Sequence, residues 1–306
     1  MAIHQKTNNL FLVDLDQPLE GFRQFISCWI YKKQNKIILI DPGPLSTIPV
    51  LRNALAELGI AHIDYILLTH IHIDHAGGAG ALLDHFPLAH VICHPRAIPH
   101  MIDPEKLWRG SLEVLGDIAR TYKEIVPVPQ NRIFYSTFID DQIKVDVIET
   151  PGHALHHLNF LIDGFLFAGE VAGVNYPMQD ELYLRIATPP RFVYEIYKDS
   201  LYKAADLKCQ SLCFGHYDMR RDVTNIFDAA KQQLELWIKT VSLSYNNNHS
   251  VPVQEIFERL IEDDPCLASF NKLEDDIRKR EKYFALNSIK GMLDYIQRSK
   301  NTDQNQ

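Results

Sequence analysis

Short apolar and β-branched runs at residues 10–15, 25–32 and 37–40 open the chain, the last two separated by Lys33-Gln34-Asn35, and predict strands. Helical apolar spacing over 49–58, stopped by Gly59, predicts a helix. A strand at 63–68, a helix at 80–85 and a strand at 90–93 complete an alternating α/β unit, whose strand ends are where open sheets place ligands. Residues 96–130 read as an insertion punctuated by Pro99, Pro104, Pro127 and Pro129, with helical spacing over 106–122. Strands are expected again at 133–138, 143–149, 158–162 and 165–167, with a hairpin turn at Asp163-Gly164. A loop over 174–190 and a helix over 194–205 precede a strand that ends near His216.

From residue 222 the pattern becomes helical. Ile226, Ala230, Leu234, Trp237, Ile238 and Val241 share one face, and Leu273, Ile277, Phe284, Ile289, Met292, Leu293 and Ile296 share another. Asn246-Asn247-Asn248 separates the two. The expected organisation is a main unit over 1–221, a helical extension over 222–300 and a disordered tail over 301–306. The extension either covers the main unit or forms a homodimer contact.

The richest chemistry lies directly after the strand at 63–68, in Thr69-His70-Ile71-His72-Ile73-Asp74-His75-Ala76-Gly77-Gly78. In an extended chain His70 and His72 point the same way. Once the chain turns, Asp74 and His75 can converge on the same spot, and the small residues behind them let a helix pack closely. Neutral imidazoles with a carboxylate suit zinc, iron or manganese and not calcium, which takes oxygen ligands.

Composition sets limits. The 306 residues carry a net charge of −8 and are 46% hydrophobic, enough for a substantial core but with no electrostatic pull toward nucleic acid or an anionic membrane. Residues 251–300 hold nine Lys and Arg against ten Asp and Glu, so no basic face suggests DNA binding. No apolar signal core or membrane-length run is seen. The scattered cysteines Cys28, Cys93, Cys209, Cys213 and Cys266 read as reduced thiols, so a cytoplasmic location is expected. His94 and His100 read as polar surface.

The run from His70 to His75 resembles the HxHxDH motif of the metallo-β-lactamase-fold hydrolases, and further matches follow in order. Glu149-Thr150-Pro151-Gly152-His153 resembles that family's TPGH segment, Phe167-Ala168-Gly169-Glu170 stands where the family has a bridging carboxylate, and Phe214-Gly215-His216 resembles the last ligand segment. Residues 37–43, ending in Asp41-Pro42-Gly43, match the opening strand and turn. The resemblance spans about residues 8–220 and implies an α/β four-layer αβ/βα sandwich with two divalent ions, zinc first, iron or manganese as alternatives. It implies His70, His72 and His153 on one ion, Asp74, His75 and His216 on the other, and Glu170 between them. Glu170 departs from the family's aspartate by one methylene, which leaves open whether it bridges, binds one ion or only supports a ligand.

A coordinated ion can lower the pKa of its water to about 7. The expected activity is therefore metal-dependent hydrolysis of an ester, thioester, lactone or phosphodiester in a small-molecule substrate by metal-bound hydroxide, with Asp74 handling a proton. His157 is expected in a catalytic or supporting role beside the pocket. Trp108, Tyr176, Met178 and Arg185 are expected to line the substrate pocket, Arg185 by meeting an anionic group. The rival readings are an iron-dependent oxidoreductase on the same fold and a non-catalytic, metal-stabilised binding module.

Overall fold

The computed structural model describes residues 3–139, 143–178, 181–247 and 251–303. The strands β1 (Ile3–Gln5), β2 (Leu10–Asp14), β3 (Ser27–Lys33) and β4 (Lys36–Ile40) are antiparallel neighbours. After helix α1 (Ile48–Glu57), β5 (Tyr65–Leu67) pairs parallel with β4. Helices α2 (Ile73–Ala76) and α3 (Ala79–His85) lead to β6 (His90–Ile92), parallel to β5. The insertion carries α4 (Ile98–Ile102), α5 (Glu105–Leu115) and α6 (Asp117–Tyr122) before β7 (Ile133–Phe134) closes a seven-stranded sheet in sequential order.

A second sheet starts with the meander β8 (Val145–Glu149), β9 (Leu158–Ile162) and β10 (Phe165–Phe167). The hairpin joining β9 to β10 turns at Asp163 (φ 48°) and Gly164 (φ 84°), the two positive φ values a tight two-residue hairpin turn requires. A separate hairpin, β11 (Val174–Pro177) and β12 (Leu182–Arg185), follows, and then α7 (Tyr194–Ala205). Strands β13 (Ser211–Cys213), parallel to β10, and β14 (Met219–Arg220) complete the five-stranded sheet. The chain ends in α8 (Val223–Asn247), α9 (Val253–Asp263) and α10 (Asp275–Asp303).

Side-chain alternation builds the layers. Leu10, Leu12, Trp29, Tyr31, Ile38 and Ile40 face the second sheet's Val145, Leu158, Phe160 and Phe167, while Phe11, Val13, Ile30 and Leu39 face α1, α3 and the insertion. Leu166, Leu212 and Phe214 on the far side of the second sheet share a core with α7, α8, α9 and α10. The αβ/βα sandwich is therefore present, and the helical extension is fused into its outer layer.

Several elements differ from expectation. The single helix expected over 106–122 is broken at Gly116, whose φ of 56° leaves the helical region. The loop expected over 174–190 contains the β11–β12 hairpin. The disorder expected from 301 does not hold for 301–303, because α10 continues to Asp303; residues 304–306 lie outside the described residues. Among the described residues no helix is long and apolar enough to cross a membrane.

Candidate metal centre

Beyond β5 the chain stays extended through His72 (φ −60°, ψ 148°), and the single turn of α2 then swings Asp74 and His75 back toward His70. The second sheet brings the other candidate ligands from its strand ends: His153 between β8 and β9, Glu170 after β10 and His216 after β13. The turn that delivers Glu170 needs glycine at 169. Its φ is +51°, and a Cβ there would lie 2.3 Å from His157 Nε2 and 2.9 Å from Thr69 Oγ1.

These residues meet in one cluster. Glu170 Oε1 lies 3.3 Å from Nε2 of His153 and of His216, 3.4 Å from that of His70 and 3.5 Å from that of His75. Ligand atoms at ordinary zinc distances around a shared tetrahedral ion stand about 3.3 Å apart. The carboxylate oxygen thus sits at ion-sharing distance from imidazoles of both groups. His72 turns its Nδ1 inward, 3.1 Å from His153 Nε2, and Asp74 Oδ2 lies 3.8 Å from Nε2 of His75 and of His216. Two sets, His70/His72/His153/Glu170 and Asp74/His75/His216, are each compact enough to hold an ion. Asp41, His70 and His75 form a third grouping, but the Asp41 oxygens are engaged by Thr69 N–H (2.8 Å), Thr69 Oγ1 (2.5 Å) and His75 Nδ1 (3.2 Å), so Asp41 is a support.

The outward nitrogens are tied down, which fixes the inward ones. His153 Nδ1 donates to the Ala187 carbonyl at 3.0 Å and His216 Nδ1 to the Phe25 carbonyl at 3.2 Å. His70 Nδ1 meets Thr69 Oγ1 at 3.1 Å. A carbonyl partner requires N–H at Nδ1, so the Nε2 lone pairs of His153 and His216 face the cluster. His70 Nε2 and His75 Nε2 are buried with no hydrogen-bond partner, a costly arrangement for a polar atom unless it binds something. The residues therefore fit divalent ions.

Electrostatics point the same way. Burial, reinforced by His75, holds His70 well below the usual histidine range, and burial with His153 brings His72 down to about 4, so both imidazoles are neutral and able to serve as ligands. Burial opposes ionisation of Glu170, but His153 and His216 outweigh it and hold the carboxylate ionised. Burial also opposes charge on His75, yet Asp74, Asp41 and Glu170 hold its pKa well above the usual value. That same carboxylate field attracts a divalent cation, which displaces the proton on binding.

A four-layer αβ/βα sandwich with a histidine and carboxylate cluster at its strand ends defines a metal-binding class of protein. The profile of the metallo-beta-lactamase superfamily matches residues 21–216, and the chain belongs to that superfamily. A metallo-beta-lactamase fold-containing protein of Sulfurisphaera tokodaii is 28% identical over 212 residues, 65% of this chain and 75% of that protein. A hydroxyacylglutathione hydrolase of Aeromonas hydrophila is 32% identical over 142 residues, 46% of this chain and 44% of its own length. Among solved structures, a metallo-beta-lactamase family protein from Thermus thermophilus has a TM-score of 0.66 at 19% identity, covering 96% of this chain and 95% of that one. The archaeal superfamily protein from Sulfolobus tokodaii has 0.62 at 24% identity, covering 86% and 99%.

Other expected site residues fall elsewhere. His157 is fully buried and both its nitrogens are used: Nε2 accepts the Glu170 N–H at 3.1 Å, and Nδ1 meets Thr150 Oγ1 at 2.9 Å. It holds the Glu170 backbone, and neither ring nitrogen is left to face a substrate. Arg185 is buried and its Nε donates to Glu281 at 2.7 Å, so its charge is already met from α10 and is not free for a substrate anion. Tyr176 is nearly buried, its ring 5.5 Å from the Arg280 guanidinium, and Met178 packs against the helical core of the second sheet. Trp108 packs on α5 against the core of the first. His94 is buried, its Nδ1 accepting the Arg96 N–H at 3.0 Å, whereas His100 is exposed.

In the sequence Asp41 reads as a turn residue, although a carboxylate is a usual partner for the second nitrogen of a metal-binding imidazole. Phe25, Thr150, Ala187, Arg280 and Glu281 carry no local signal of their roles.

Proposed function

We propose that this chain is a binuclear metallo-hydrolase, with zinc the preferred ion, that cleaves an ester or thioester bond of a small molecule. The observation that carries it is the single Glu170 oxygen 3.3–3.5 Å from four inward imidazole nitrogens. The thioester preference is supported by the hydroxyacylglutathione hydrolase relative. Divalent ions bound there would act as Lewis acids and bring the pKa of a water to about 7.

The chain's own groups supply the rest. Asp74 is the most exposed carboxylate of the cluster, its side chain 14% accessible, and is placed to accept a proton from an attacking water and return it to the leaving group. Glu170, held ionised, supplies negative charge that favours cations among the inward imidazoles. Asp41, Thr69 and the carbonyls of Phe25 and Ala187 fix the rings, so no reorganisation is needed at the moment of reaction.

The test is metal analysis of protein purified with and without air, followed by a panel of thioesters, esters, lactones and phosphodiesters. About two zinc ions per chain and turnover of a thioester or ester are expected, by the ligand count. Iron with a redox-active spectrum and no hydrolysis would replace this reading with the oxidoreductase. Bound metal with no turnover of any substrate would favour a binding module.

A further inference from the structure

Two of the outward-facing histidine bonds end on backbone carbonyls in irregular segments, and both segments are gripped by the same distant helix. His216 leans on Phe25 twice, through the carbonyl at 3.2 Å and through ring stacking at 4.2 Å and 23°. Phe25 belongs to the connection between β2 and β3, which has no regular secondary structure and takes positive φ at Gly21 and Gln24. Local bonds close it, Gln17 N–H to the Phe22 carbonyl at 3.2 Å and Gln24 N–H to the Asp16 carboxylate at 2.8 Å, while the Gly21 and Arg23 carbonyls are bonded from outside the connection.

Helix α10 supplies those outer bonds. Arg280 Nη1 donates to the carbonyls of Gly21 at 2.6 Å and Arg23 at 3.2 Å, and its guanidinium lies 4.2 Å from the centre of the Phe25 ring. The one Phe25 ring thus contacts both the Arg280 guanidinium and the His216 imidazole. Glu281 orients Arg280 through Nε at 2.9 Å and is itself held by Arg185 and Tyr183. The backbones also touch: a Cβ on Gly21 would lie 2.3 Å from the Asp276 carbonyl oxygen.

Two turns further along α10, Ser288 brackets the other carbonyl. Its hydroxyl donates to Ile186 O at 3.1 Å and accepts from Thr188 N–H at 3.3 Å, while Thr188 Oγ1 donates to Ser288 O at 3.1 Å. Between these anchors stands Ala187, whose carbonyl receives His153 Nδ1. The superfamily profile ends at residue 216, well before α10 begins.

We propose that α10 is a positioning element of the metal centre, Arg280 aligning His216 through residues 21–25 and Ser288 aligning His153 through residues 186–188. The proposal rests on the two-ion reading above. Its test is competitive metal titration of the full-length protein, resolving two affinities, together with melting of the metal-free form. Arg280→Met should weaken the ion held by His216 by about 10- to 100-fold and leave the other within twofold, the usual size for loss of an outer partner. Ser288→Ala should do the converse, and Arg280→Lys, which keeps one donor to the Gly21 carbonyl, should fall between wild type and Arg280→Met. Phe25→Leu, which removes only the ring stack, should weaken the same ion as Arg280→Met and serves if the latter does not fold.

The control is Asp264→Asn, which disturbs a different buried network of the extension, the carboxylate accepting from Trp237 Nε1, Gln233 Nε2 and Cys266 N–H. It should lower the melting temperature and spare both affinities. Equal losses at both ions in Arg280→Met and Asp264→Asn, or unchanged affinities in Arg280→Met, Phe25→Leu and Ser288→Ala, would overturn the proposal. A wild-type protein that takes up one ion only would overturn the two-ion reading first, and the proposal with it.

Discussion

The candidate ligands of the first sheet and those of the second meet in one cluster on different foundations. His70, His72, Asp74 and His75 come from one continuous run, and the supports of His70 and His75, Thr69 and Asp41, stand at the ends of neighbouring parallel strands. His153, Glu170 and His216 come from three separate connections: Glu170 is steadied by His157 of the same sheet, and His153 and His216 by the backbone carbonyls of Ala187 and Phe25. The first group is continuous in sequence, although Asp41 reaches His75 from 34 residues away, whereas the carbonyls facing His153 and His216 lie in irregular segments that α10 grips.

The most severe way to break the comparison is to remove a ligand from each side. His70→Ala and His153→Ala should each lose about one bound ion per chain and cut hydrolysis more than about 100-fold, beyond the cost of an outer partner. Unchanged metal content in both would refute the ligand assignment. Glu170→Gln strikes between the two groups; it should retain about one ion, since three histidines still hold the first site, and lose most of the rate. Full occupancy with normal activity would place Glu170 outside the coordination sphere.

Supports come next. Asp41→Asn and His157→Ala, one behind each group, should each weaken metal binding by about 10- to 100-fold, measured by chelator competition. The foundation of the second group can also be read through acid. Burial opposes ionisation of Glu281, but Arg185 and Arg280 outweigh it and bring its pKa down to about 2 from an ordinary 4.5. Because the folded value is the lower one, its contribution of about 3 kcal/mol is complete above the unfolded pKa and disappears as pH falls through the folded one. Acid unfolding of Glu281→Gln should accordingly be less steep between these values than that of the wild type.

The mildest changes concern packing away from the metal cluster. Trp108→Ala and Tyr176→Ala should lower the melting temperature and leave KM and kcat within about twofold, because both side chains pack on cores. A KM raised several-fold with an unchanged melting temperature in either variant would instead place that side chain in the substrate pocket. His94→Ala and His100→Ala should leave metal content intact.

What could be seen in the sequence follows the same division. The HxHxDH run announces itself because four ligand-type residues share one strand end, and the unbroken apolar runs at 10–13 and 37–40 mark strands covered on both faces. Arg280 and Glu281 look like any charged pair on a helix, since nothing local shows that Arg185, 96 residues away, meets the same carboxylate inside the core. Arg185 itself suggested an anion subsite for want of that partner. His157 sat beside a ligand and looked like pocket, but Gly169, which leaves no space for a side chain, sends Glu170 past it and makes it a backbone anchor.

The seam between the sheets has a thermodynamic consequence. Residues of the first sheet and of the second converge on one carboxylate oxygen, so an ion shared by His70, His72 and His153 exists only while both sheets are packed together. Its binding energy is then folding energy, adding about 2.7 kcal/mol when free metal is a hundredfold above its dissociation constant. The melting temperature of this protein should therefore be a property of the solution as much as of the chain, rising with zinc and falling with chelator, and the cell's metal supply becomes one of the forces that hold the two halves closed.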